Sequence, residues 1–113
     1  MMHFEKLIVW NKAIDYAETL VKIADLLPQR YQFSFSDQLR RAALSIPNNI
    51  AEGAGRTTPR DRANFYSIAK GSVYETVNIL KLAERLTIVK DYNFQNLYYL
   101  AEEISKMLYG LSH

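Results

Sequence analysis

Ser45-Ile46-Pro47-Asn48-Asn49-Ile50-Ala51-Glu52-Gly53 decides how this 113-residue chain reads. It lies in a segment whose apolar residues, Leu39, Ala43, Ile46, Ile50 and Ala54, recur in steps of three and four. A polar row, Gln38, Arg41, Ser45, Asn49, Glu52 and Arg56, runs beside it at the same spacing. Such steps keep side chains on one helical face, so the stretch predicts a helix with one apolar and one polar stripe. A solvated helix face is ordinarily rich in Lys and Glu. Gln, Ser and Asn interleaved with Ala and Gly point instead to a polar face aimed at a partner helix or a ligand.

Outward from this segment the same spacing recurs. Trp10, Ala13, Ala17, Leu20, Ala24 and Leu27 mark a first helix over 4–27, ended by Pro28, which disfavours helical backbone in the residue before it. The linker that follows holds Tyr31, Phe33 and Phe35 and is expected to pack over the bundle end. The second helix is placed at 36–56, with Ser34 or Ser36 as its cap and Asp37 in its first turn. Pro47 lies inside it and removes one backbone donor, which is expected to bend the axis. Thr58-Pro59-Arg60-Asp61 restarts a helix over 59–88, with Thr58 as N-cap and Pro59 at the first helical position. Phe65, Ala69, Ser72, Thr76, Ile79, Ala83 and Leu86 stripe it. Lys90-Asp91 is read as the break before a fourth helix over 92–111, striped by Phe94, Leu97, Ala101, Ile104, Leu108 and Leu111. No strand alternation appears. Ala-rich seams and short connections predict a single all-α domain, an antiparallel up-down-up-down four-helix bundle.

Composition narrows the function. A hydrophobic fraction of 49% and a charged fraction of 23% describe an ordinary globular protein. With no cysteine, disulfides, thiolate metal sites and thiol nucleophiles are excluded. No long apolar run opens the chain and none approaches the roughly 20 residues of a membrane span, so a cytoplasmic protein is expected. Net charge is +2, unevenly spread. Between Ser36 and Lys70 six cations, Arg40, Arg41, Arg56, Arg60, Arg62 and Lys70, face three carboxylates, Asp37, Glu52 and Asp61. That segment is therefore +3 and the remainder −1. Arg dominates the group, and its planar fork suits phosphate or carboxylate.

Catalytic signatures are sparse. The two histidines, His3 and His113, sit at opposite termini, and no Glu-x-x-His pair of the di-iron kind occurs. Gly53-Ala54-Gly55-Arg56 follows a helix and lacks the Gly-Lys-Ser/Thr ending of a phosphate loop, so it reads as a helix C-cap. Glu52 and Glu75 could be imagined as an acid–base pair, but no nucleophile accompanies them. The expectation is no metal, no cofactor and no enzyme activity. Ser72 and Glu75 lie one turn apart on the third helix, where Asn49 and Glu52 of an antiparallel second helix would meet them. Gln38, Ser45, Asn49, Glu52, Ser72 and Glu75 are thus read as a polar seam with Arg41 beside it, either a register-fixing network or a ligand groove. Tyrosines crowd the fourth helix (Tyr92, Tyr98, Tyr99, Tyr109). With Tyr16, Tyr66 and Tyr74 they read as a surface for subunit contact, or as stacking platforms for unpaired bases.

The motifs resemble a known family. Phe4-x-x-Leu7-x-x-Trp10-x-x-Ala13, Gln38-x-Arg40-Arg41-Ala42-x-x-Ser45-Ile46 and Asn49-Ile50-Ala51-Glu52-Gly53-x-Gly55-Arg56 carry the resemblance. Phe65, Ala69, Gly71-Ser72-x-x-Glu75 and Ile104-x-Lys106-Met107-Leu108 complete it. Together they look like the bacterial four helix bundle proteins, also called 23S rRNA intervening-sequence proteins. The resemblance implies an antiparallel four-helix bundle assembled as a homopentamer. It also implies kinship with the accessory variability protein of diversity-generating retroelements, a more basic bundle that binds nucleic acid and a reverse transcriptase.

Two functions follow as expectations. The first is a non-enzymatic homo-oligomer that binds RNA or DNA through Arg40, Arg41, Arg56, Arg60, Arg62 and Lys70, with Arg56, Arg60 and Arg62 as its leading contacts. The alternative is a structural or adaptor oligomer that grips another protein, such as a reverse transcriptase, through its Tyr-rich surface and Trp10.

Overall fold

The apolar stripes become four helices in a computed structural model that describes residues 1–89 and 92–113. They are α1 (Ile8–Leu26), α2 (Asp37–Ala54), α3 (Pro59–Arg85) and α4 (Gln95–Ser112), and no strand occurs among the described residues. Each helix packs on the next, and α4 closes back on α1 along the thinnest of the four seams. The 27 residues of α3 span about 40 Å at the α-helical rise, which accounts for the 43 Å long axis of the molecule. Tyr16, Leu20, Leu39, Ile46, Ile50, Val73, Leu80, Ile104 and Leu108 fill the centre. A smaller cluster of Leu27, Ala83 and Ile88 closes one end, with Tyr31 and Phe35 packed against it.

The start of α3 falls at the expected Pro59, and the other helix boundaries depart from the sequence expectation by a few residues. The chain begins with a 3-10 turn at His3–Lys6, and α1 starts only at Ile8 because Leu7 is extended. Asn11 anchors that break by donating its amide to the carbonyls of Glu5 and Leu7, both at 2.9 Å. Winding toward α2 starts early, in a 3-10 turn at Gln29–Tyr31 and a π-helical turn at Gln32–Ser36 that runs into α2. Neither Ser34 nor Ser36 caps α2. The Ser36 hydroxyl reaches back instead to the Ala24 carbonyl (2.8 Å), which Gln32 also contacts (3.0 Å), so both side chains satisfy the end of α1. Tyr31 and Phe35 pack over the bundle end as expected, whereas Phe33 is 89% exposed. The α2 helix runs uninterrupted through the buried Pro47.

Thr58 caps α3 by accepting from the Asp61 amide at 3.1 Å, with Pro59 in the first turn. The far end of α3 stops three residues before the expected 88. Thr87 adopts a left-handed φ of 55°, Ile88 N–H reaches the Ala83 carbonyl and Thr87 N–H that of Glu84. This is a Schellman stop with Thr where Gly is usual, and the Ile88–Ala83 contact is its hydrophobic clasp. The break expected at Lys90-Asp91 lies outside the described residues. The α4 helix starts at Gln95, whose amide is accepted by the Asn93 side chain at 2.9 Å.

Candidate nucleic-acid interface

The α2–α3 seam changes character along its length. At one end the helices nearly touch. A Cβ on Gly53 would stand 2.9 Å from the Tyr66 ring and 3.0 Å from the Phe65 Cβ, so only glycine permits this approach. Gly55 then ends α2 with ordinary negative φ, its amide held by the Ala51 and Glu52 carbonyls. At mid-helix the contact is polar. The Ser45 and Ser72 hydroxyls meet at 2.8 Å, and the Asn49 amide donates to the Ser45 carbonyl (2.8 Å) and hydroxyl (3.0 Å).

Only these three members of the expected seam come together. Gln38, Glu52 and Glu75 are exposed. Glu52 turns to Arg56 at 3.1 Å, away from Ser72 and Glu75, and Arg41 turns to Asp37 at 3.6 Å. No buried carboxylate therefore lies in the seam, and the imagined Glu52–Glu75 acid–base pair has no enclosed site. Among the described residues no cluster of His, Cys, Asp or Glu could hold a metal ion. A second buried polar contact, absent from the sequence reading, joins α1 to α3: the Tyr16 hydroxyl meets the Thr76 hydroxyl at 2.9 Å. Burial pushes the Tyr16 phenol up to about 12, partly offset by that hydrogen bond. Its signal was available, because Tyr16 stands three residues after Ala13 on the core stripe.

The six expected cations divide into three groups. Arg56, Arg60 and Arg62 converge on the α2–α3 turn. The Arg56 guanidinium lies 4.6 Å from the Phe65 ring centroid, and Arg62 donates to the Arg56 carbonyl at 3.1 Å. Among the described residues, Arg60 and Arg62 have no carboxylate within 4.0 Å. Arg40 and Arg41 stand sixteen and fifteen residues before Arg56, about 24 Å away along α2. Arg40 is fixed there by Asp25 (2.7 Å) and Gln32 (2.7 Å). Lys70 belongs to neither group and lies over the rings of Tyr74 and Tyr109 on the α4 side of α3. Beside the arginine turn, Asn48, Ala51, Glu52, Gly55 and Arg56 line a shallow groove.

The tyrosines divide as well. Tyr16 and Tyr66 are buried and belong to the core, not to a surface. Tyr74, Tyr92, Tyr99 and Tyr109 are exposed, while Tyr98 is half-buried and donates its hydroxyl to Glu84. Burial, reinforced by Glu84, holds the Tyr98 phenol above its usual range.

Four helices around an alanine-lined core, with a hydroxyl contact at mid-seam and an arginine-bearing turn, define an all-α four-helix bundle. The chain belongs to the 23S rRNA-intervening sequence protein family, whose model matches residues 5–110. Its fold is similar to that of a Bacteroides thetaiotaomicron protein of unknown function from the S23 ribosomal protein family, known from a 1.70 Å crystal structure. That protein is 25% identical, with a TM-score of 0.84 over 93% of this chain and 98% of its own. No curated protein matches the chain. No helix among the described residues is long and apolar enough to cross a membrane.

Proposed function

We propose that this chain is a non-enzymatic, homo-oligomeric bundle of the cytoplasm that binds RNA or DNA through arginines repeated around the assembly. The convergence of Arg56, Arg60 and Arg62 on one turn carries this reading. The start of α3 adds its partial positive charge there, and guanidinium groups in such a place suit phosphate oxygens without reading sequence. Exposed Leu44, Ile68 and Leu82 on α2 and α3 supply apolar surface for self-association. Five copies, the number the resemblance implies, would bring the net charge from +2 to about +10 and let weak contacts act together.

The test is a salt series of nucleic-acid binding by nuclease-treated protein, with particle mass measured by light scattering in the same buffers. The reading expects a particle several times the 13.1 kDa chain whose affinity falls steeply as salt rises. A 13.1 kDa particle, or no binding at low salt, would overturn it. A second reading, an adaptor that grips a protein such as a reverse transcriptase, draws on exposed Phe33 and Tyr99. A well-formed oligomer that ignores nucleic acid is the result that favours it.

A further inference from the structure

The face shared by α3 and α4 carries Lys70, Lys81 and Lys106 interleaved with Tyr74, Tyr98 and Tyr109. Lys70 Nζ lies 5.5 Å from the Tyr74 centroid and 5.0 Å from that of Tyr109, and Lys81 Nζ lies 3.8 Å over Tyr98. Among the described residues none of these lysines has a carboxylate within 4.0 Å. A cation over an aromatic ring keeps its full charge, whereas one against a carboxylate is largely neutralised at a distance. Between the helices runs a surface groove of about 790 Å³, lined by Tyr74, Lys81, Tyr98 and Lys106 with Val77, Asn78, Ala101 and Ser105; Lys70 and Tyr109 continue the face beside Tyr74. Two carboxylates border it, Glu102 and the Glu84 that accepts the Tyr98 hydroxyl, so the three lysines leave the face cationic.

We infer that this face binds single-stranded nucleic acid, with unpaired bases stacked on Tyr74 and Tyr109 and phosphates against Lys70, Lys81 and Lys106. The inference rests on the nucleic-acid binding proposed above and names the form of nucleic acid that is taken. Tyr74 is 60% and Tyr109 54% exposed, so both rings are open to a flat partner. The Tyr109 ring already holds one, since His113 stacks on it at 4.1 Å and 28°. A base would displace that terminal imidazole. Bases within a duplex are stacked on one another and cannot use these rings; unpaired bases can, whatever their identity. The Asn78 amide and Ser105 hydroxyl add hydrogen-bonding groups for base edges. The stripe from Lys70 to Lys81 is about 16 Å long on α3, room for a short run of nucleotides. An acidic peptide would meet the lysines and leave the rings unused.

The experiment compares labelled oligothymidylate, a duplex of equal length and polyglutamate as probes at one salt concentration. The proteins are the wild type, the double variant Tyr74→Ala/Tyr109→Ala and the double variant Tyr74→Phe/Tyr109→Phe, each checked for helix content. The Ala pair is expected to lower single-strand affinity by about fivefold or more per ring while leaving duplex affinity unchanged, and the Phe pair to retain it. Equal loss on both nucleic acids, no loss on the single strand, or loss confined to polyglutamate would overturn the inference while leaving the arginine turn in place. Wild-type protein that binds neither nucleic acid would overturn that reading too.

Discussion

On the α1/α2 side Lys12, Lys22, Arg40 and Arg41 each stand against a carboxylate, at 3.0, 3.4, 2.7 and 3.6 Å. On the α3/α4 side Lys70 and Lys81 stand over tyrosine rings instead, with no described carboxylate within 4.0 Å. The α2–α3 turn lies between the two patterns: Arg56 is shared by Glu52 and the Phe65 ring, while Arg60 has no described carboxylate partner. The difference is one of outward field. Exposed ion pairs stabilise a fold by about 0–1 kcal/mol each and present little net charge to a distant phosphate. Ring-held cations present nearly all of theirs. Two sides with similar numbers of cations are thus unequal toward a polyanion, and charge counting along the sequence cannot distinguish them.

The strongest perturbation of this contrast is at the turn itself. Gly53→Leu would drive a side chain into Tyr66 and Phe65 and part α2 from α3, at a cost of about 3 kcal/mol. Urea denaturation would register the loss, and Gly53→Ala should give a smaller one of the same sign. The Arg56–Phe65 contact would go with the seam, while the ion pairs of Lys12, Lys22 and Arg41 should remain. A Leu variant with unchanged stability would mean the helices do not approach as described.

A smaller change should leave both surfaces untouched. Tyr16→Phe removes the buried hydroxyl contact to Thr76, which keeps the Val73 carbonyl as acceptor, so the loss is about 1 kcal/mol. It should also alter the alkaline limb. The phenol rises from 10.0 to about 12 on folding because burial disfavours the phenolate. The folded state then holds the proton more tightly, and the stability it contributes is complete below pH 10 and lost as pH climbs toward about 12. Tyr66 and Tyr98 are raised in the same sense. Wild type should therefore destabilise across that window, and the Phe variant less steeply. Equal pH profiles would remove Tyr16 from the account.

Much of the fold could be read from spacing because the stripes are regular: Leu39, Ala43, Ile46 and Ile50 are all buried where the period puts them. Boundaries were harder to read. Thr87 ends α3 in a left-handed conformation that no glycine announces, and Ser36 serves the end of α1 when its position invited a capping role in α2. The seam shows a different limit. Ser45, Asn49 and Ser72 meet as their stripes suggest, yet Glu52 and Glu75 share that spacing and face water. Periodicity fixes a face to within a wide arc, and a long carboxylate at its margin finds solvent or a local arginine at lower cost than burial. Tyr16 and Tyr66 show the converse: their polar tips suggested surface, and packing put them in the core.

The most direct test of the central claim removes three cations from the turn and three from the ion-paired side and compares the salt dependence of nucleic-acid binding. Arg56→Ala/Arg60→Ala/Arg62→Ala and Lys12→Ala/Lys22→Ala/Arg41→Ala delete equal charge. The turn variant should flatten the slope of log affinity against log salt by about two, and the ion-pair variant should leave it near that of wild type. Equal flattening in both would show that net charge alone governs binding, and would contradict the distinction between the turn and the ion-paired side.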